Sequence, residues 1–248
     1  MWVMGSETIK VSKQQQQTGY RFISLLFALC IAALFLQRCA QENLSDALSN
    51  DICSDDFNRA DSDTLGGNWD VLINYPQTQP PEVKISDNRA YFKLPYVTPM
   101  GISRLTSIVC KNRVEQPRSK VSVEIVRTAG NITTGNQIIL YSRYQDSSNA
   151  YGCVYKSQTL GIARLLGTTI TNFSTSGNSF PIQANIPAII TFTSDGSSLS
   201  CTLEHNGAIM QVAATDSTFM AGKTGVFAVS QSAPFDFYAD NLKTEILP

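Results

Sequence analysis

Beyond residue 53 the apolar positions recur every second residue or gather in β-branched runs, and nowhere at the three-and-four spacing of an amphipathic helix. Such runs lie at 69–75, 83–85, 90–94, 105–111, 120–127, 137–144, 151–156 and 161–166. They continue at 188–193, 199–204, 208–213, 225–229 and 235–244. Between them stand residues that accept positive φ: Asp87-Asn88, Asp146 to Asn149, Asp195-Gly196 and Asn206-Gly207. The last two turns cut residues 190–212 into a three-stranded meander. About thirteen short strands without intervening helices must bury their apolar faces against one another, which predicts an all-β chain folded as a sandwich or a barrel. A body of roughly 200 residues with no linker near its middle suits one two-sheet sandwich, the proline-rich 75–82 segment being a loop.

The amino-terminal pattern is different. Phe22 to Leu36 is an unbroken apolar stretch preceded by Lys10, Lys13 and Arg21. Its length of about fifteen residues is short of the roughly 20 of a membrane-spanning helix and fits a signal-peptide core. A signal or membrane-anchor helix is therefore expected over 1–39, a polar tether over 40–52 and the sandwich over 53–248. The sequence Leu36-Gln37-Arg38-Cys39 resembles the lipobox of bacterial lipoproteins, with Arg38 where a small residue is usual. That resemblance implies lipidation at Cys39; an uncleaved anchor and ordinary cleavage nearby are the alternatives. The expected address is the cell envelope or surface, by anchoring or secretion.

Charge narrows the partners. The whole chain holds 19 Lys and Arg against 20 Asp and Glu, and without residues 1–39 the balance becomes −4. Nothing here neutralises a row of phosphates, so nucleic acid is excluded as a partner. His205 is the single histidine, which removes the H-E-x-x-H zinc site and makes any Ser-His-Asp triad depend on one residue. Standing just before the Asn206-Gly207 turn, it is expected at a solvent-exposed strand end. Phosphate-binding glycine loops are absent. Outside the leader the cysteines are Cys53, Cys110, Cys153 and Cys201, with no C-x-x-C pair, so a zinc ribbon or thioredoxin motif is excluded. Oxidation in an exported chain and buried free thiols both fit them.

Three segments carry a resemblance. Asp55-Asp56-Phe57-Asn58-Arg59-Ala60-Asp61, followed by Leu65-Gly66 and Trp69, is similar to the opening strand of modules in the concanavalin A-like lectin/glucanase superfamily. Ser142 to Tyr155 resembles the central hairpin of laminin-G-like modules, and Phe235 to Ile246 their closing strand. The resemblance implies an antiparallel two-sheet jelly-roll β-sandwich whose first and last strands lie together. It also implies that the strands of Cys153 and Cys201 are near enough for a disulfide, leaving Cys53 to pair with Cys110 or remain reduced.

The superfamily hosts lectins, hydrolases, lyases and adhesion modules, so function has to be read from sites. Its hydrolases carry E-x-D-x-E or E-x-D-x-x-E on one strand; here neither Glu124 nor Glu204 has an acidic partner on its strand face. Period-two alternation places Tyr141 and Arg143 on one face and Tyr151, Cys153 and Tyr155 on one face of the next strand, a stacking surface with a guanidinium fork suited to a sugar or polar peptide. No cofactor is implied beyond a structural Ca2+, for which Asp56 and Asp61 would be joined by Asp240 if the terminal strands pair. The expected function is that of a non-catalytic, membrane-anchored module binding a glycan or a surface protein. A glycoside hydrolase or lyase, and an adhesion protein with no small-molecule site, are the alternatives.

Overall fold

The computed structural model describes residues 51–74, 81–94, 104–111, 117–130, 132, 135–230 and 234–248. The leader with Cys39, and all but the last two residues of the tether, lie outside the described residues. Asn50–Pro248 forms one compact unit.

The described residues hold fifteen strands: β1 (Asp51–Asp55), β2 (Trp69–Asn74), β3 (Glu82–Ser86), β4 (Arg89–Leu94), β5 (Arg104–Cys110), β6 (Arg118–Ala129), β7 (Gln137–Asp146), β8 (Asn149–Lys156), β9 (Thr159–Leu166), β10 (Thr169–Thr175), β11 (Ala188–Asp195), β12 (Ser198–His205), β13 (Ala208–Thr215), β14 (Lys223–Ser230) and β15 (Phe235–Ile246). They form two antiparallel sheets. One runs β13-β12-β11-β6-β15-β4-β3, with β1 added on β15 to make eight strands; the other runs β10-β9-β8-β7-β14-β5-β2. Alternation decides what each sheet buries: Val121, Val123, Ile125, Ile190, Phe192, Leu203 and Phe237 face inward from the first, and Ile108, Leu140, Tyr151, Ile162 and Val226 from the second.

The predicted meander is β11-β12-β13, in register from Ile190↔Leu203 to Leu203↔Met210. Its turns use Gly196 at φ 57° and Asn206-Gly207 at 50° and 76°. The first and last strands pair as expected, Asp55 standing opposite Leu242. β1 begins earlier than expected, inside the tether, and β10, a polar strand paired on β9, was not legible.

The opening motif is explained by one carboxylate. Asp55 accepts hydrogen bonds from Phe57 N (2.7 Å), both terminal nitrogens of Arg59 (2.7 and 3.0 Å) and Trp69 Nε1 (2.8 Å). Arg59 also donates to Leu65 O, and the Phe57 and Trp69 rings pack 5.9 Å apart. Aspartate, phenylalanine, arginine, leucine and tryptophan at these spacings thus build one corner of the core. Burial raises the Asp55 carboxyl, but the Arg59, Trp69 and Phe57 hydrogen bonds outweigh it and hold it below its ordinary value.

Both disulfides form, and both join the sheets. Cys153 of β8 bonds Cys201 of β12 with Cα atoms 5.6 Å apart, and Cys53 of β1 bonds Cys110 of β5 with Cα atoms 6.2 Å apart.

Candidate functional site

The side chains of β7 to β10 that face away from the core line a hollow of about 300 Å³ on the outer face of the seven-stranded sheet. Strand register sets its plan. Tyr141, Gly152, Ala163 and Asn172 stand in one row across β7, β8, β9 and β10. Gly152 and Ala163 are small, so the row has a low floor between Tyr141 and Asn172. A Cβ on Gly152 would come 2.7 Å from Ile139 Cγ2 and 3.7 Å from the Tyr141 ring, so glycine lets those two side chains close over the strand. The next rows bring Ile139 beside Val154 and Gln137 beside Lys156; on the other side Leu165 stands beside Ala150. Ile170 completes the rim with 66% of its surface exposed. The hollow is apolar through its middle, with amides and one ammonium at its margins.

Tyr141 is the expected site residue that the structure places here. Its ring is wedged against Tyr144 (5.5 Å) and Phe227 (5.2 Å), and burial, with Tyr144 adding to it, pushes its hydroxyl well above the usual tyrosine range. The other three members of the expected patch lie elsewhere. Tyr151 and Tyr155 do share a face, but it is the inner one. Tyr151 donates to Asp216 and its ring meets Phe219 edge-on; Tyr155 donates to Phe180 O (2.8 Å) and accepts from Ile182 N (3.0 Å).

Arg143 does not share the face of Tyr141 because β7 bulges between them. Gly225 pairs with Tyr141 and Lys223 with Tyr144, so β7 carries one extra residue, and Arg143 takes φ 53°. The bulge turns Arg143 inward while Tyr144 rejoins Tyr141 outside. Only 2% exposed, Arg143 donates to Phe219 O (2.8 Å) and Pro117 O (2.5 Å), with its guanidinium 6.0 Å from the Tyr151 ring centre. Burial lowers its pKa, opposed by Tyr151 and Asp195. Close by, Asp216 accepts from Tyr151 and from Arg164 (2.5 Å), tying the residues after β13 to β8 and β9. Neither arrangement offers a ligand surface.

The aspartates expected around calcium are only partly gathered. Asp56 and Asp240 line a shallow polar hollow with Asn58, Asp87, Asn88, Arg89 and Asn241. Asp61 is outside it, accepting a hydrogen bond from Asp87 N (3.0 Å). Among the described residues no group of three or more His, Cys, Asp or Glu is assembled to hold a metal ion. The hollow holds three carboxylates, Asp56, Asp87 and Asp240, beside Arg89, and Asp61 of the expected set is not among them. Burial raises the Asp240 carboxyl, with Asp56 and Asp55 adding repulsion.

Glu124 and Glu204 both flank Ile189 in register, and all three face outward from the eight-stranded sheet, on the opposite side of the molecule from the β7–β10 hollow. His205 is not at an exposed strand end: it is 5% exposed, accepts from Gln183 N at Nε2 (3.0 Å) and hydrogen-bonds Pro187 O through Nδ1 (3.0 Å). Those partners fix a neutral tautomer with the proton on Nδ1 and tie the residues before β11 to β12.

The two-sheet antiparallel sandwich is a fold that this chain shares with several solved structures. It is similar to a galectin-like protein of unknown function from Bacillus subtilis (TM-score 0.55, 11% identity, covering 79% of this chain and 96% of that one). It is also similar to a putative β-glucanase from Mycobacterium abscessus (0.54, 10%, 78% and 99%). A third likeness is to the exoplasmic/lumenal domain of VIP36 in its Ca2+/Man3GlcNAc-bound form (0.52, 11%, 73% and 84%). At these identities the likeness is one of fold. No family model and no curated protein matches the sequence.

Proposed function

We propose that the protein is an exported carbohydrate-binding module that takes a sugar in the β7–β10 hollow without cleaving it. The observation that carries this reading is the composition of the hollow: an apolar floor of Ile139, Gly152, Val154 and Ala163 under polar margins from Gln137, Lys156 and Asn172. A sugar ring has C–H faces that suit such a floor and hydroxyls that suit such margins, and the volume is at the small end of ligand sites. The exoplasmic/lumenal domain of VIP36, with a similar fold, is known in a Ca2+/Man3GlcNAc-bound form. Among the described residues no carboxylate lines the hollow, and Glu124 and Glu204 are on the other sheet, which favours binding over glycoside hydrolysis. Two disulfides support an oxidising, extracytoplasmic address, and the apolar stretch 22–36 supports delivery by a leader or anchor.

The test fills the hollow. Ala163→Phe puts a ring on its floor from a position on the solvent-facing side of β9, and the full chain is compared with wild type on a glycan array and by calorimetry. Wild type is expected to retain a subset of glycans, and the variant, with both disulfides intact by peptide mapping, to lose them at least tenfold. Equal retention by both proteins would sink the assignment.

A further inference from the structure

Charge around the hollow is one-sided. Lys156 lies at one end, opposite Gln137 in register. The lining contains no aspartate or glutamate, and among the described residues Lys156 has no ion-pair partner. Several other cations of the body are paired, Lys84 and Lys93 with Glu82, Lys223 with Asp70, Lys243 with Glu245, Arg118 with Asp195 and Arg164 with Asp216. A cation without an ion-pair partner beside an apolar hollow that holds no carboxylate is an arrangement that a ligand's negative charge completes.

We infer that the hollow takes an acidic sugar, a hexuronic acid residue whose carboxylate meets Lys156 while its ring covers Val154, Gly152 and Ala163; this deepens the binding reading above and rests on it. The dimensions agree. Lys156 and Gly152 are four residues apart on β8, about 13 Å along the strand. An extended lysine side chain leaning inward and a uronic acid ring with its carboxylate together bridge that span. The Gln137 amide, beside Lys156, provides a second donor for the same carboxylate, and Asn172, at the far end of the Gly152 row, a donor and an acceptor for ring hydroxyls.

The test separates charge from sugar. Oligomers of galacturonic, glucuronic and mannuronic acid are titrated into the full chain beside their methyl esters, which keep the ring and remove the charge. Lys156→Gln, Lys156→Arg and Ala163→Phe are measured in parallel. The expected result is that at least one acid binds about tenfold more tightly than its ester, that added salt narrows the gap, that Lys156→Gln closes it and that Lys156→Arg largely keeps it. Acid and ester binding alike, or a preference that survives Lys156→Gln, would overturn the inference while the binding reading stands if Ala163→Phe still abolishes retention. Binding that is indifferent to Ala163→Phe, or the absence of any glycan ligand, would overturn both.

Discussion

Arg143 shows how one backbone angle relocates a functional-looking side chain. Alternation puts it beside Tyr141, but the positive φ at the bulge spends an extra residue and sends the guanidinium into the body. Nothing in Ser142-Arg143-Tyr144 announces a bulge, because arginine has no special preference for that conformation. Tyr151 and Tyr155 mislead for another reason: period two gives the shared face and not which face is inside, and here their hydroxyls find buried partners. Arg143→Met is expected to cost about 2–3 kcal/mol in urea unfolding, since Phe219 O and Pro117 O lose a charged donor. Asp55 and Asp216 govern the acid side. Burial raises each carboxyl, but Arg59 and Trp69 for the first, and Tyr151 and Thr218 for the second, leave both below their ordinary value of 3.8. Their contribution is therefore complete above that value and is lost as pH falls through the depressed one. Asp216→Asn is expected to flatten the decline in stability below about pH 4, read from urea midpoints across pH. An unchanged slope would place the acid sensitivity elsewhere.

Among elements, the meander and the closing strand were plain in the sequence because turn chemistry and alternation agreed. β10 was hidden because Thr-Ile-Thr-Asn-Phe-Ser-Thr carries only two apolar residues, of which Phe173 packs partly against the core and Ile170 stays exposed; pairing with β9 does most to make it a strand. That matters for the site, since Ile170 and Asn172 form one wall of the hollow. Of the residues singled out in the sequence Tyr141 lines the hollow, whereas Gly152, Ala163 and Lys156 come together with it only once register aligns three strands. The cysteines show the same dependence, their inter-sheet pairing following from which strands face each other. Replacing Cys153 and Cys201 with alanine, a pair 48 residues apart, is expected to cost about 4 kcal/mol through the freed unfolded chain. Denaturant midpoints of this variant against wild type measure it, and a loss under about 1 kcal/mol would mean the bond adds little beyond the packing of the two sheets.

At the scale of the molecule, delivery and architecture meet at β1. Protein recovered from its native host is expected to lack residues 1 to about 39, or to carry lipid on Cys39, as intact mass would show; a full-length, unlipidated soluble species would contradict export. Tension applied from the N-terminal side of the body would load first a short strand laid along the last one, Asp51 opposite Glu245. Alone, such a strand would unzip one hydrogen bond at a time. Two residues on, however, Cys53 is bonded to Cys110 in the other sheet, so tension crosses from β1 into β5 and on to its neighbours β14 and β2. The strand at which such tension enters is clasped: under load both sheets would share the strain, and reducing that one cystine would turn the clasp into a zipper.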